Sequence, residues 1–328
     1  MASHLHSQLP SFASLPTVED MPHGCAWGLF DQGDQRDELG TLNFLTDDNT
    51  KKAIEQEVKT GRRVQLDWSL DQMKFPGFGR DTSSHKLIDL SFLGVTASDD
   101  TITFNTQQSS QWDGLRHFAH QESKLLYNGV PNQAMYTDPK DLRLGMQRWV
   151  ENGGIAGRGI LIDWASWYAA QHAGHMPEAN KDNAISLADL KACLEHQGTH
   201  LQPGDILIIR TGFIAWHNGA NDEQLKAQQS SGTSIGLAQD PELVAWLWDN
   251  HFSAVAADNP ALEAWPPKGQ LLHEFLIAFW GCPIGELWNL EELSKVCREH
   301  KRWSFFLTSS PLNIPGGVAS PPNVMAIF

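Results

Sequence analysis

The chain is short of cysteine, of basic residues and of long apolar runs, and each shortage removes a class of protein. Of 328 residues only Cys25, Cys193, Cys282 and Cys297 are cysteine, far apart and without a Cys-x-x-Cys pair. That argues against a disulfide scaffold or a thiolate zinc module, and a reduced, cytoplasmic setting is expected. Lys and Arg number 24 against 39 Asp and Glu, a formal charge of −15. An acidic chain without a basic stripe is expected to bind neither nucleic acid nor an anionic membrane surface. The longest apolar stretch, Phe275 to Ile284, is broken by Gly281 and Pro283. It falls well short of the roughly 18–20 residues that span a bilayer. The first residues, MASHLHSQLPSF, have no basic start and no apolar core, so no cleaved signal is expected.

What is present is the composition of a buried globular chain, 41% hydrophobic and 19% charged. Tryptophans run from Trp27 to Trp303 with no repeat or linker between them, which predicts an N-terminal arm over 1–26 and one α/β domain over 27–328. Thr46 is placed to cap a helix over 47–60 that stops at Gly61, and Ser186 one that runs to Gly198. Asp240-Pro241-Glu242 predicts a third helix, and Asn289-Leu-Glu-Glu292 has capping-box spacing for a last one ending near His300. Segments 101–106, 159–164, 205–212, 253–259, 303–308 and 323–328 read as strands, several of them buried on both faces.

Two polar clusters interrupt apolar surroundings, where polar groups need partners. The first runs Gln107-Gln-Ser-Ser-Gln111-Trp-Asp113-Gly-Leu-Arg-His117. On a helical turn the four-residue spacing of Asp113 and His117 puts both side chains on one face. A carboxylate and an imidazole so placed can share a divalent cation, or simply hydrogen-bond to each other across a turn. The second cluster holds His273, among core-like Leu272, Leu276, Phe279 and Trp280, and Glu286 in a Pro/Gly-rich turn before a helix. Two other motifs are weaker. Gly232-Thr-Ser234-Ile-Gly236 has nucleophile-elbow spacing but follows polar residues without a strand pattern. Gly153-Gly-Ile-Ala-Gly-Arg-Gly159 is not Gly-x-Gly-x-x-Gly and precedes its strand, so a dinucleotide fold is not expected. Histidines 172, 175, 196 and 200 lie in polar surroundings and read as surface residues. Trp27, Phe30, Trp112, Phe118 and Trp265 fit either core packing or the wall of a pocket for a flat organic molecule.

Taken together, these residues resemble the metal-dependent cyclase family, which includes bacterial kynurenine formamidase and isatin hydrolase. The family motif His-x-Gly-Thr-His-x-Asp-x-x-x-His is similar to residues 107–117, and its later His and acidic residue to His273 and Glu286. The stretches 37–43, 204–212, 257–259 and 315–321 are similar as well. The resemblance implies a single-domain swivelling β/β/α fold and a homodimer or higher homo-oligomer. It also implies a manganese or zinc enzyme that hydrolyses an amide, lactam or lactone of a small cyclic or aromatic molecule through a metal-bound water. Carried over, the metal ligands are Asp113, His117, His273 and Glu286, and the catalytic residues His117, His273 and Glu286. Gln107 and Gln111 stand where the family has its first two histidines. A glutamine carbonyl is a poorer zinc donor than imidazole, so the expected ion is manganese or zinc, with magnesium as a further candidate. Gln107, Gln111 and Trp112 are then assigned to substrate. Two alternatives stay open: a metal-independent lyase or dehydratase using His117, His273 and Glu286, and a non-catalytic small-molecule-binding protein on the same scaffold.

Overall fold

Short apolar runs bounded by turns can satisfy their backbone groups only by pairing with one another, and here they assemble into one large curled sheet. The computed structural model describes residues 9–328. Across the nine-stranded sheet the order is Arg63–Gln65, Val324–Ile327, Ser304–Ser309, Ile155–Ile162, Ile206–Ile209, Ala254–Ala257, Ile284–Glu286, Gln111–Asp113 and Ala319–Ser320. The four strands from Ile155–Ile162 to Ile284–Glu286 are parallel neighbours; the flanking pairs are antiparallel. Ile206–Ile209 and Ala254–Ala257 are buried at every position, as uninterrupted Ile, Leu, Ala and Val require. The result is a single α/β domain built on this curled sheet, as the resemblance implies. No helix among the described residues is long and apolar enough to cross a membrane.

Helix ends follow their capping chemistry where the caps are free to act. Ser186 Oγ accepts from Asp189 N at 3.1 Å, and Gly198 closes that helix in the left-handed conformation. Pro241 opens Pro241–Asp249. Two helices differ from expectation. The helix capped by Thr46 ends at Glu57 rather than Thr60, because Thr60 N and Gly61 N donate instead to Phe328 O at the sheet edge. The last helix is Glu291–His300 with Leu290, not Asn289, at its N-cap. Glu292, the residue that would close the box, reaches out to Arg62 Nη2 at 2.8 Å.

A larger difference concerns 101–106. The strand is Ser98–Thr103, paired with Ser84–Asp89 in a separate ribbon exposed along nearly its whole length. Asp99, Asp100, Thr101 and Thr103 leave this strand too little apolar surface to compete for a place in the main sheet. The arm before Trp27 is pinned rather than loose over its described part. Trp248 Nε1 donates to Pro10 O at 2.9 Å and Trp280 Nε1 to Gly24 O at 2.8 Å. All four cysteines are buried and unpaired.

Candidate functional site

The strand Gln111–Asp113 lies in the sheet between Ile284–Glu286 and Ala319–Ser320, with Gln111 opposite Glu286 and Asp113 opposite Ile284. Strand alternation therefore sets Gln111, Asp113 and Glu286 on one face and Trp112 on the other. Trp112 is fully buried there, its Nε1 bonded to Ser309 Oγ at 2.9 Å and its ring edge-on to Trp288 at 4.7 Å. Its assignment to substrate is corrected: it is a core residue. The same packing explains Gly285, whose Cβ would stand 2.8 Å from the Trp288 ring. Glu286 likewise belongs to a strand, not to a helix-capping turn, and Asp113 and His117 do not share a helix. After Asp113 the chain turns, with His117 N donating to Gly114 O at 2.9 Å, and the turn swings the imidazole back toward the carboxylate.

His273 arrives from the far side, at the start of the π-helical turn Glu274–Phe279. Fully buried Glu263 holds it there. One Glu263 oxygen lies 3.0 Å from His273 Nδ1, and the other accepts from Leu272 N at 2.6 Å. With Nδ1 so engaged, Nε2 faces Asp113 Oδ2 at 3.9 Å and Glu286 Oε1 at 3.3 Å. His117 Nε2 lies 3.7 Å from the same Asp113 Oδ2. That oxygen is buried and has no hydrogen-bond partner among the described residues. One ligand atom from each of Asp113, His117 and His273 falls within 4.8 Å of the others, a spacing that can hold a metal ion.

Both glutamines are part of this cluster. Gln107 Nε2 donates to Asp113 Oδ1 at 2.7 Å and lies 2.9 Å from His117 Nδ1. Gln111 Nε2 donates to Glu286 Oε2 at 2.6 Å and to Asp113 Oδ1 at 3.3 Å, while its Oε1 is buried without a partner among the described residues. The electrostatics follow from crowding. Burial disfavours the charged Asp113, but His117, His273 and Arg80 outweigh it and keep its carboxyl below the ordinary value. Burial lowers the His117 pKa despite Asp113. Burial opposes the charge on His273 too, yet the carboxylates of Glu263, Asp113 and Glu286 raise it well above its usual range. Burial, helped by Asp113, pushes Glu286 up to about 7.

Gln107 also borders a cavity of about 230 Å³ whose wall includes Met73, Phe78, Arg80, Phe213 and Trp265. Arg80 Nη1 donates to Gln107 O at 2.6 Å. Neither Arg80 nor Glu263 is marked by sequence spacing; Glu263 stands ten residues before His273, outside any helical or strand period. Ser234 does not form an elbow. It follows the helix Asp222–Ser231 and pairs by its backbone with Trp265, and Asp258 is occupied by Thr211 and Gly212 N–H groups. His172, His175, His196 and His200 are exposed.

Residues 39–264, more than half of the chain, match the Cyclase family. A solved structure described as a novel cyclase is 30% identical, with a TM-score of 0.80, covering 93% of this chain and 99% of its own. Isatin hydrolase A from Labrenzia aggregata, bound to benzyl benzoate, is 17% identical at TM-score 0.55, over 81% of this chain and 93% of its own. Isatin hydrolase A from Ralstonia solanacearum is 16% identical at TM-score 0.52, over 81% and 92%. No curated protein matches the sequence.

Proposed function

The chain belongs to the Cyclase family, and we propose that it is a divalent-cation-dependent hydrolase of an amide, lactam or lactone bond in a small cyclic or aromatic molecule. The observation that carries this reading is Asp113 Oδ2, a buried carboxylate oxygen without a hydrogen bond among the described residues, facing two imidazole Nε2 atoms. An unsatisfied buried carboxylate oxygen is costly, and a cation offsets that cost. The surrounding charge fits as well: Asp113, Glu263 and Glu286 are three buried carboxylates gathered about two histidines. Asp113, His117 and His273 would hold the ion, with Glu286 beside them. Glutamine at 107 and 111, where imidazoles would stand, leaves fewer nitrogen donors, which favours manganese or magnesium over zinc. The choice of bond is drawn by analogy from the isatin hydrolases, which share the fold alone.

The chemistry such an ion supplies is acidification of a water and polarisation of the scissile carbonyl. The remaining work falls to side chains. Glu286, with its pKa near neutrality, is suited to accept a proton at Oε1 and return it to the leaving group. Glu263 fixes the tautomer of His273 through Nδ1. Gln107, bonded to Asp113 and bordering the cavity, lies where a substrate carbonyl would approach.

The test is metal content per chain of protein purified without chelator, for wild type and the isosteric Asp113→Asn, alongside turnover of an amide and lactone panel. About one equivalent of manganese, zinc or magnesium and measurable turnover are expected, both lost in the folded variant. A fully active, metal-replete Asp113→Asn overturns the reading. One observation favours a second: Gln107 Nε2 already gives Asp113 and His117 a protein partner. In that case His117, His273 and Glu286 move protons without a metal, as in a lyase or dehydratase, and turnover ignores chelator.

A further inference from the structure

We propose that Arg80 and the aromatic cavity beside it form a carboxylate subsite, so that the molecule this enzyme works on is an aromatic or cyclic acid. The inference rests on the hydrolase reading only in placing the scissile bond at the Asp113 cluster. Arg80 is the one charged residue among the described residues that line the cavity. This holds in a chain with 39 acidic side chains, where Arg158 pairs with Glu57 and Asp205, Arg210 pairs with Asp163 and Glu291, and buried Arg116 spends both terminal nitrogens on the backbone oxygens of Gly316 and Asp141. Arg80 has no carboxylate within ion-pair distance among the described residues. Its hydrogen bond to the protein uses Nη1 alone, on Gln107 O at 2.6 Å. A guanidinium carries five N–H donors in a planar fork that matches a carboxylate, so most of that fork remains available.

The rest of the cavity selects what carries the carboxylate. The guanidinium lies 5.0 Å from the centre of the Phe78 ring, which stands edge-on to Trp265 at 5.6 Å. Met73 and Phe213 complete an apolar wall. At about 230 Å³ the space exceeds the ~150 Å³ of a cavity that holds benzene, leaving room for a ring and a small polar group. A lone guanidinium suits a monoanion such as a carboxylate better than a dianion. Gln107 sets the offset between the two ends. Its backbone carbonyl holds Arg80, and its side chain touches Asp113 and His117. A ring seated on Phe78 and Trp265 with its acid on Arg80 would therefore reach the cluster with its other substituent. A net charge of −15 repels anions in general; Arg80, whose charge also bears on Asp113 and Glu286 beyond the wall, opposes that repulsion in a cavity lined by no acidic side chain among the described residues.

Equilibrium titration of the full chain with benzoate, benzamide and benzylamine, followed by tryptophan fluorescence and calorimetry, tests this without turnover. Benzoate is expected to bind at least tenfold tighter than benzamide, and benzylamine not at all. Arg80→Gln should lower benzoate affinity tenfold or more and leave benzamide unchanged, with Arg80→Lys in between. Equal affinity for benzoate and benzamide overturns the proposal, as does equal loss of both in Arg80→Gln, which would make Arg80 only a brace for Gln107. Benzoate lost in Asp113→Asn but kept in Arg80→Gln would mean that the metal centre binds it, and also overturns the subsite. Benzoate bound through Arg80 by a protein that hydrolyses no amide or lactone would keep the subsite and reject hydrolysis.

Discussion

Replacing Glu263 by glutamine tests the geometry of the cluster without touching its candidate ligand atoms. The two Glu263 oxygens each accept a bond, from Leu272 N at 2.6 Å and at His273 Nδ1 at 3.0 Å. Glutamine offers one acceptor and one donor in the same space. If its carbonyl takes His273 Nδ1–H, its NH₂ meets Leu272 N–H, and a buried donor left unpaired costs about 1–3 kcal/mol. If its carbonyl takes Leu272 N–H, its NH₂ points at Nδ1 and imposes the tautomer with the proton on Nε2. That proton then occupies the lone pair facing Asp113 and Glu286. The first costs stability and leaves a neutral, weaker acceptor on Nδ1, the second blocks the ligand atom, and either leaves a folded chain with an impaired site. Loss of such a supporting carboxylate commonly weakens metal binding about 10–100-fold, or about 1.4–2.8 kcal/mol at 1.4 kcal/mol per decade. The expected result for Glu263→Gln is a Mn²⁺ affinity lower by that factor in calorimetric titration, and a urea-unfolding free energy lower by about 1–3 kcal/mol. A folded variant that binds Mn²⁺ within twofold of wild type would refute the argument that Glu263 sets the His273 tautomer.

Two further predictions concern residues away from the cluster face. Trp112→Phe is expected to lower unfolding stability by about 1–3 kcal/mol and leave KM unchanged, since the ring packs on Trp149 and Trp288 behind the site. A raised KM at unchanged stability would return Trp112 to the substrate wall. His217, edge-on to Trp68 at 4.6 Å, is pushed down to about 4 by burial and by Lys74. Its unfolded value is near 6.5, so the unfolded chain takes the proton first, and His217 subtracts stability as pH falls from about 6.5 toward 4. Asp205 and Asp258, both raised to about 6 chiefly by burial, act in the opposite direction over the same range. The measurement is therefore the difference in Tm between His217→Phe and wild type, which should grow in favour of the variant between pH 6.5 and 4; a constant difference contradicts the assignment.

The parallel centre of the sheet was legible because its strands are short apolar runs whose residue types leave no other way to be buried. Ile206–Ile209 and Ala254–Ala257 lie inside the segments expected for them. The exposed ribbon 84–103 was not legible as such, because alternation in TITFNT states a strand without saying what it pairs with. The cluster shows the same division. Asp113, His117, His273 and Glu286 were marked by residue type and meet in space. Glu263 and Arg80 reach it only through tertiary folding and left no local signal. The misassignment of Trp112 has a single cause, the local period. Read with a helical period of four, Asp113 pairs with His117 and nothing is implied about residue 112. Read with the strand period of two, Gln111 and Asp113 share a face and Trp112 must point away. The Asp113–His117 pair survives the change only because the turn at Gly114 folds the chain back on itself. Residue types name the chemistry available in a segment; the period of the backbone decides which of those residues can meet, and at this site it was the pairing of Gln111–Asp113 with Ile284–Glu286, 175 residues away between Gln111 and Glu286, that fixed it.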